Sequence, residues 1–233
     1  VSRITRKDLK TDKFALEVEH SVTFIDQHRQ VIMRYGAIVL GVVVLVLAFL
    51  WYSRHQHAVR EQALGQALQV MEAQVGNANP NVPSAYPTED AKQQELSKRL
   101  TDVATRYGGS TEGYIATYYL ATQLADQGKL AEAEKRFKEV ADSAKADYAS
   151  LAKLALAQIY FSDGRSAEGE KVLRGLMDNP TVLVSKEQAT IALARAIART
   201  KPADARKLLE PMRTVPGQIG QVALSLYGEI PAQ

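Results

Sequence analysis

The chain has 233 residues, 46% of them hydrophobic and 24% charged, enough for one or two compact domains and too apolar for a wholly disordered tail. Its 29 Lys and Arg against 26 Asp and Glu leave a formal charge of +3, with the two signs interspersed, so no basic face points to nucleic acid. The absence of cysteine excludes a disulfide framework, a thiolate metal site, a cysteine nucleophile and a cysteine-linked lipid anchor.

In chain order, the first predicted element is a short amphipathic helix within residues 1–34. Phe14, Val18, Val22 and Ile25 recur at helical spacing with Glu17, Glu19 and Asp26 between them, a face suited to docking on a partner or on the inner leaflet. Residues 35–53 then carry no charged side chain. As a helix they span about 28 Å, close to the roughly 30 Å of a bilayer's hydrocarbon core. A soluble helix apolar on every side would need partners all round. Tyr35 at one end and Trp51-Tyr52 at the other stand where an aromatic belt meets the headgroups.

A cleaved signal peptide is not expected, because the preceding region is too long for an n-region and no small-x-small site follows. Arg3, Arg6, Lys7, Lys10, Lys13, Arg29 and Arg34 precede the span, whereas only Arg54 and Arg60 follow closely. This asymmetry predicts a cytoplasmic N-terminus and a large domain on the other side, the periplasm of a bacterium with two membranes. Val1 leaves the true start open.

Residues 54–109 are expected to form a helical hairpin. Leu64, Ala67, Leu68, Met71 and Val75 continue a helical stripe beyond the membrane. Residues 76–87, with Pro80, Pro83 and Pro87, read as a loop, since proline lacks an amide donor and clashes in a helix interior. The next helix runs from an N-cap at Thr88 to Tyr107, with Leu96, Leu100 and Val103 on one side and Gly108-Gly109 as its stop.

From Ser110 the chain repeats. Leu120-Ala121, Gly128, Ala133 and Phe137 recur 36 residues later as Leu156-Ala157, Gly164, Gly169 and Leu173, a period of helix-turn-helix units. A third copy places Leu193-Ala194 before Ala205 and Leu209, across a turn one residue shorter at Thr200-Lys201-Pro202. Small residues such as Ala121, Ala133 and Ala157 let helices approach, while Leu120, Phe137, Leu156 and Tyr160 fill the space between hairpins. Ser185 and Gln188 form a capping box, Pro202 suits a first helical turn, and Pro211 and Pro216-Gly217 close the third copy.

These residues resemble the tetratricopeptide pattern of a Leu and a small residue in the first helix, Gly at the turn, and a small residue then an aromatic in the second. The resemblance covers about Ser110 to Met212, is good in the first copy, departs at Gly169 in the second and is poor in the third. The layout of cytoplasmic segment, single anchor and Ala-rich repeats is similar to that of the ancillary subunit of the bacterial Sec translocon, within a broader periplasmic tetratricopeptide family. Leu226-Tyr227-Gly228-Glu229 resembles the start of that family's last repeat, with Gln233 falling before a second helix.

Catalytic spacing is absent. His55 and His57 are two apart and point to different sides of a helix, and there is no phosphate loop, nucleophile elbow or HExxH motif. Glu132, Glu134, Glu168 and Glu170 alternate with Lys135 and Lys171, which reads as solvated salt-bridge faces on the repeats. No catalytic, cofactor or metal site is expected, and no small-molecule substrate.

A short solenoid offers a concave surface lined by the first helix of each hairpin. Repeat position puts Tyr118, Thr122, Gln158, Phe161, Arg195 and Arg199 in that groove, where Tyr, Phe and Arg are suited to anchor a partner. Tyr118 and Phe161 also suit packing between repeats. The resemblance implies that a carboxylate clamp would want Asn where Thr122 and Gln158 stand, so clamp recognition is not expected. The expected architecture is all-α: a single transmembrane helix followed by a short α-solenoid of tetratricopeptide-like hairpins over residues 110–233. The expected role is a non-enzymatic scaffold in the inner membrane that meets translocon, chaperones or exported chains. The alternative is a structural organiser of cell-envelope or division machinery.

Overall fold

Side-chain caps start three of the helices in the computed structural model, which describes the backbone of residues 6–76 and 86–231 and the side chains of 33–76 and 86–231. The helices are α1 (Arg6–Glu72), α2 (Glu89–Arg106), α3 (Thr111–Asp126), α4 (Leu130–Ser143) and α5 (Ala146–Ser162). They continue with α6 (Ser166–Asp178), α7 (Lys186–Ile197), α8 (Pro202–Leu209) and α9 (Gln218–Glu229), with a 3-10 turn at Glu210–Met212 before the last. Pro80 and Pro83 of the expected loop, and the side chains of Phe14, Val18, Val22 and Ile25, lie outside the described residues. The backbone of that expected short helix belongs to α1.

The starts of α2, α3, α7 and α8 and the ends of α3 and α5 each have a local cause. The Thr88 hydroxyl accepts from Ala91 N at 3.2 Å, and the Ser110 hydroxyl accepts from Gly113 N at 3.1 Å. Ser185 and Gln188 complete their capping box, and Pro202 occupies the first turn of α8. Gly128 and Gly164 adopt φ of 76° and 77°, the left-handed region that costs glycine nothing, and so end α3 and α5.

The chain divides into Val1–Ala58 and Val59–Gln233. In the first unit every residue from Met33 to His55 is exposed, including Val43, Leu47, Phe49 and Leu50. Near the end of this stretch the Trp51 and His55 rings stack with centroids 5.8 Å apart, and Gln56 Nε2 donates to the Tyr52 hydroxyl at 3.1 Å.

In the second unit each helix from α2 to α8 packs on the next. Leu64, Ala67 and Val70 of α1 meet Leu96, Leu100 and Val103 of α2 and Ala116 and Leu120 of α3. A second cluster joins Phe137 and Val140 of α4 to Leu156 and Tyr160 of α5, and a third carries Leu173, Leu193, Ile197 and Leu209 through to Leu226 of α9. Ala121, Ala133 and Ala157 are fully buried, the close approach that their size permits. Gly76 N donates to Tyr86 O at 3.0 Å and Tyr86 N to Gln74 O at 2.9 Å, so the stems of the expected loop are tied together.

The expected salt bridges form, but at Glu134 and Glu170 the carboxylates are partly buried rather than solvated. Each side chain is only 15% exposed and reaches the next repeat: Glu134 pairs with Arg165, and Glu170 with Lys201 at 2.5 Å. Lys138 at 2.7 Å and Arg174 at 3.8 Å flank the two carboxylates from one turn along. The whole arrangement recurs at 36 residues, so the repeat extends to its ion pairs.

Candidate protein-binding groove

The first helices of successive hairpins are direct neighbours, α3 with α5 and α5 with α7. Among the described residues no comparable contact joins α4 to α6 or α6 to α8, so the stack closes up on the side of the first helices. That side is the inner face of the solenoid. Thr122, Gln158 and Arg195 occupy equivalent positions on α3, α5 and α7, and together form one row across it.

Tyr118 is half-buried. Its ring meets Phe137 edge-on with centroids 5.5 Å apart and Tyr119 at 5.8 Å. Burial pushes the Tyr118 phenol above its ordinary pKa, Tyr119 adds to this, and a hydrogen bond with Thr122 opposes it. The Thr122 hydroxyl also donates to the Tyr118 carbonyl at 3.1 Å, so these two residues hold one another. Gln158 is exposed.

Phe161 is half-buried and packs with Leu154, Ile191 and Ala198 against the third cluster. A Cβ on Gly169 would lie 2.6 Å from Phe161 Cε2, nearer than such atoms approach. In the first copy the two equivalent positions hold Ala125 and Ala133, and in the third Ala198 and Ala205. The second copy has moved its bulk from the second helix to the first, which explains the departure at Gly169. Phe161 therefore combines a packing role with partial exposure on the inner face.

Arg195 and Arg199 are both exposed and line one cleft of about 710 Å³ with Leu226, Glu229, Ile230 and Pro231. The structure thus brings the arginine pair together with the end of α9, which the spacing of the repeats did not reveal. Two further residues were missed on the inner face. Leu154 and Ile191 are half-buried at the positions equivalent to Tyr118, and the 36-residue register, lengthened by one into the third copy, would have found them. A separate opening of about 760 Å³ lies between α4, α5 and α6, where Gly175 leaves space open beside Leu156, Tyr160 and Lys171.

The row offers hydroxyl, amide, guanidinium and apolar groups on neighbouring helices, the kinds of group that make up protein interfaces. A family model described as a tetratricopeptide repeat-like domain matches residues 29–210, more than three quarters of the chain. That match includes the apolar stretch as well as the hairpins. No curated protein sequence and no solved structure matches the chain.

Proposed function

The chain belongs to the tetratricopeptide repeat-like family, and from that membership we propose that it is a non-enzymatic, membrane-anchored scaffold for other proteins. One observation carries the reading. An inner face of contiguous first helices carries Tyr118, Thr122, Gln158, Phe161 and Arg195, with Arg199 in the turn after α7, in the same chain as a helix long and apolar enough to cross a bilayer. Val43, Leu47, Phe49 and Leu50 gain nothing while exposed to water, whereas transfer into lipid is favourable by about 25 cal/mol per Å2 of apolar surface. The excess of positive residues ahead of the span supports a cytoplasmic N-terminus and periplasmic hairpins.

In that position the groove meets polypeptides as they emerge from the membrane, and the partners are the Sec translocon, periplasmic chaperones or exported chains. The layout of anchor and repeats supports this assignment by resemblance. Photocrosslinkers at Thr122 and Gln158 in intact membranes test it. Adducts with translocon, chaperone or nascent chains are expected, and recovery of none of them would sink the proposal. A tagged chain concentrated at midcell would instead favour an organiser of division machinery.

A further inference from the structure

Resting on the groove reading above, we infer that the cleft at Arg195 and Arg199 selects an internal acidic segment of the bound polypeptide, with an apolar residue beside the acid. Arg195 lies in the last turn of α7, whereas Arg199 falls in the turn just beyond the Ala198 cap rather than on the same helix face; both still line this one cleft, so two like charges meet at one opening that favours an anion. Most basic side chains at the repeat boundaries are already committed. Arg165 pairs with Glu134, and Arg174 and Lys201 pair with Glu170. Arg206 and Arg213 both lie against the Tyr227 ring, at 4.0 and 4.4 Å from its centroid. Among the described residues neither Arg195 nor Arg199 is in an ion pair.

The cleft supplies the rest of the chemistry. Leu226, Ile230 and Pro231 give it an apolar wall, and Glu229, whose Oε1 accepts from the Ser225 hydroxyl at 3.3 Å, is the acid in its lining. Two guanidiniums against one carboxylate leave a net positive charge, complementary to an acidic ligand. Arg195 also belongs to the row of Thr122 and Gln158. A segment lying along that row therefore passes through the cleft and offers it a side chain rather than a chain end.

Three fluorescent peptides titrated onto the full chain in detergent micelles test this. The first has blocked ends and a Leu flanked by two Glu; the second has Gln for both Glu; the third is the second with a free C-terminal carboxylate. The first should bind at least about tenfold more tightly than the other two, because charge-assisted bonds to Arg are the stronger kind. Its affinity should fall by about tenfold in R195Q/R199Q, rise in E229Q, and weaken as salt goes from about 50 to about 300 mM. Equal binding of the Gln peptide, a free-ended peptide that equals or exceeds the first, or unchanged binding by R195Q/R199Q would each overturn the inference. A photocrosslinker at Gln158 separates the two levels. Peptides captured there without dependence on acid or arginine defeat only the cleft, whereas no capture and no binding defeat the groove as well.

Discussion

Arg165 reaches back 31 residues to grip Glu134 with both terminal nitrogens, Nη1 to Oε1 at 3.0 Å and Nη2 to Oε2 at 2.5 Å. This two-pronged bond joins the second helix of one hairpin to the turn of the next, and it holds the Glu134 carboxyl down from the ordinary 4.5 to about 2, with Lys138 adding to the effect. A carboxyl whose pKa is lowered by folding stabilises the fold above its unfolded value and loses that contribution as pH falls through its folded value. The thermal midpoint of E134Q should therefore lie below the parent's at pH 7, and the difference should shrink between pH 4.5 and about 2. A gap that persists at the acid end would show that the glutamate acts through packing rather than charge.

Gly169 and Phe161 should show coupled energetics. Gly169→Ala drives a methyl into the Phe161 ring and should cost about 1–3 kcal/mol. In a Phe161→Ala background the same change should stabilise by roughly 0.5–1 kcal/mol, the ordinary preference for alanine over glycine within a helix. Urea unfolding of the four chains of this cycle measures both, and additive effects would contradict the exchange of bulk between the helices.

Leu156 is 4% exposed between α4 and α6, so Leu156→Ala should destabilise the fold by about 2–5 kcal/mol through the cavity it opens. Gln158, two residues along and exposed, should tolerate alanine within about 0.5 kcal/mol while losing partner contact. Denaturant midpoints and crosslinking yields, measured on the same variants, separate the core residue from the groove residue.

Side chains of α8 and the 3-10 turn tie down the end of α9. Arg206 Nη1 donates to Ile230 O at 2.6 Å and to Tyr227 O at 3.3 Å, while the Tyr227 hydroxyl donates to Glu210 Oε2 at 2.9 Å. Arg206→Ala should cost about 1–2 kcal/mol and raise hydrogen exchange in α9 well before α5. Uniform loss of protection along the solenoid would show instead that α9 is part of one cooperative unit with the earlier hairpins.

Local signals made most of the helical framework legible. Ser185 with Gln188, Thr88, Gly128, Gly164 and Pro202 each act within a few residues of themselves, and each limits a helix as its chemistry requires. The buried rows of Leu, Phe and Ala followed from the 36-residue register. What lay beyond reach depends on separations of about one repeat or on unlike neighbours. Glu134 finds Arg165 rather than Lys135, because helix geometry points i+1 away while the stack brings the next turn close. The cleft at Arg195 and Arg199 is closed by residues 226–231, which no periodicity links to α7.

A chain without cysteine permits single-cysteine labelling with no background, and this gives the most direct test of a periplasmic solenoid with an occupied groove. Gln158→Cys sits on the inner face and Lys135→Cys on an exposed position of α4. In intact spheroplasts, a membrane-impermeant maleimide should modify Lys135→Cys readily and Gln158→Cys several-fold more slowly, and the difference should vanish in the purified chain. Lys135→Cys reacting only after permeabilisation would contradict the orientation, and equal rates at both sites in spheroplasts would contradict a partner in the groove.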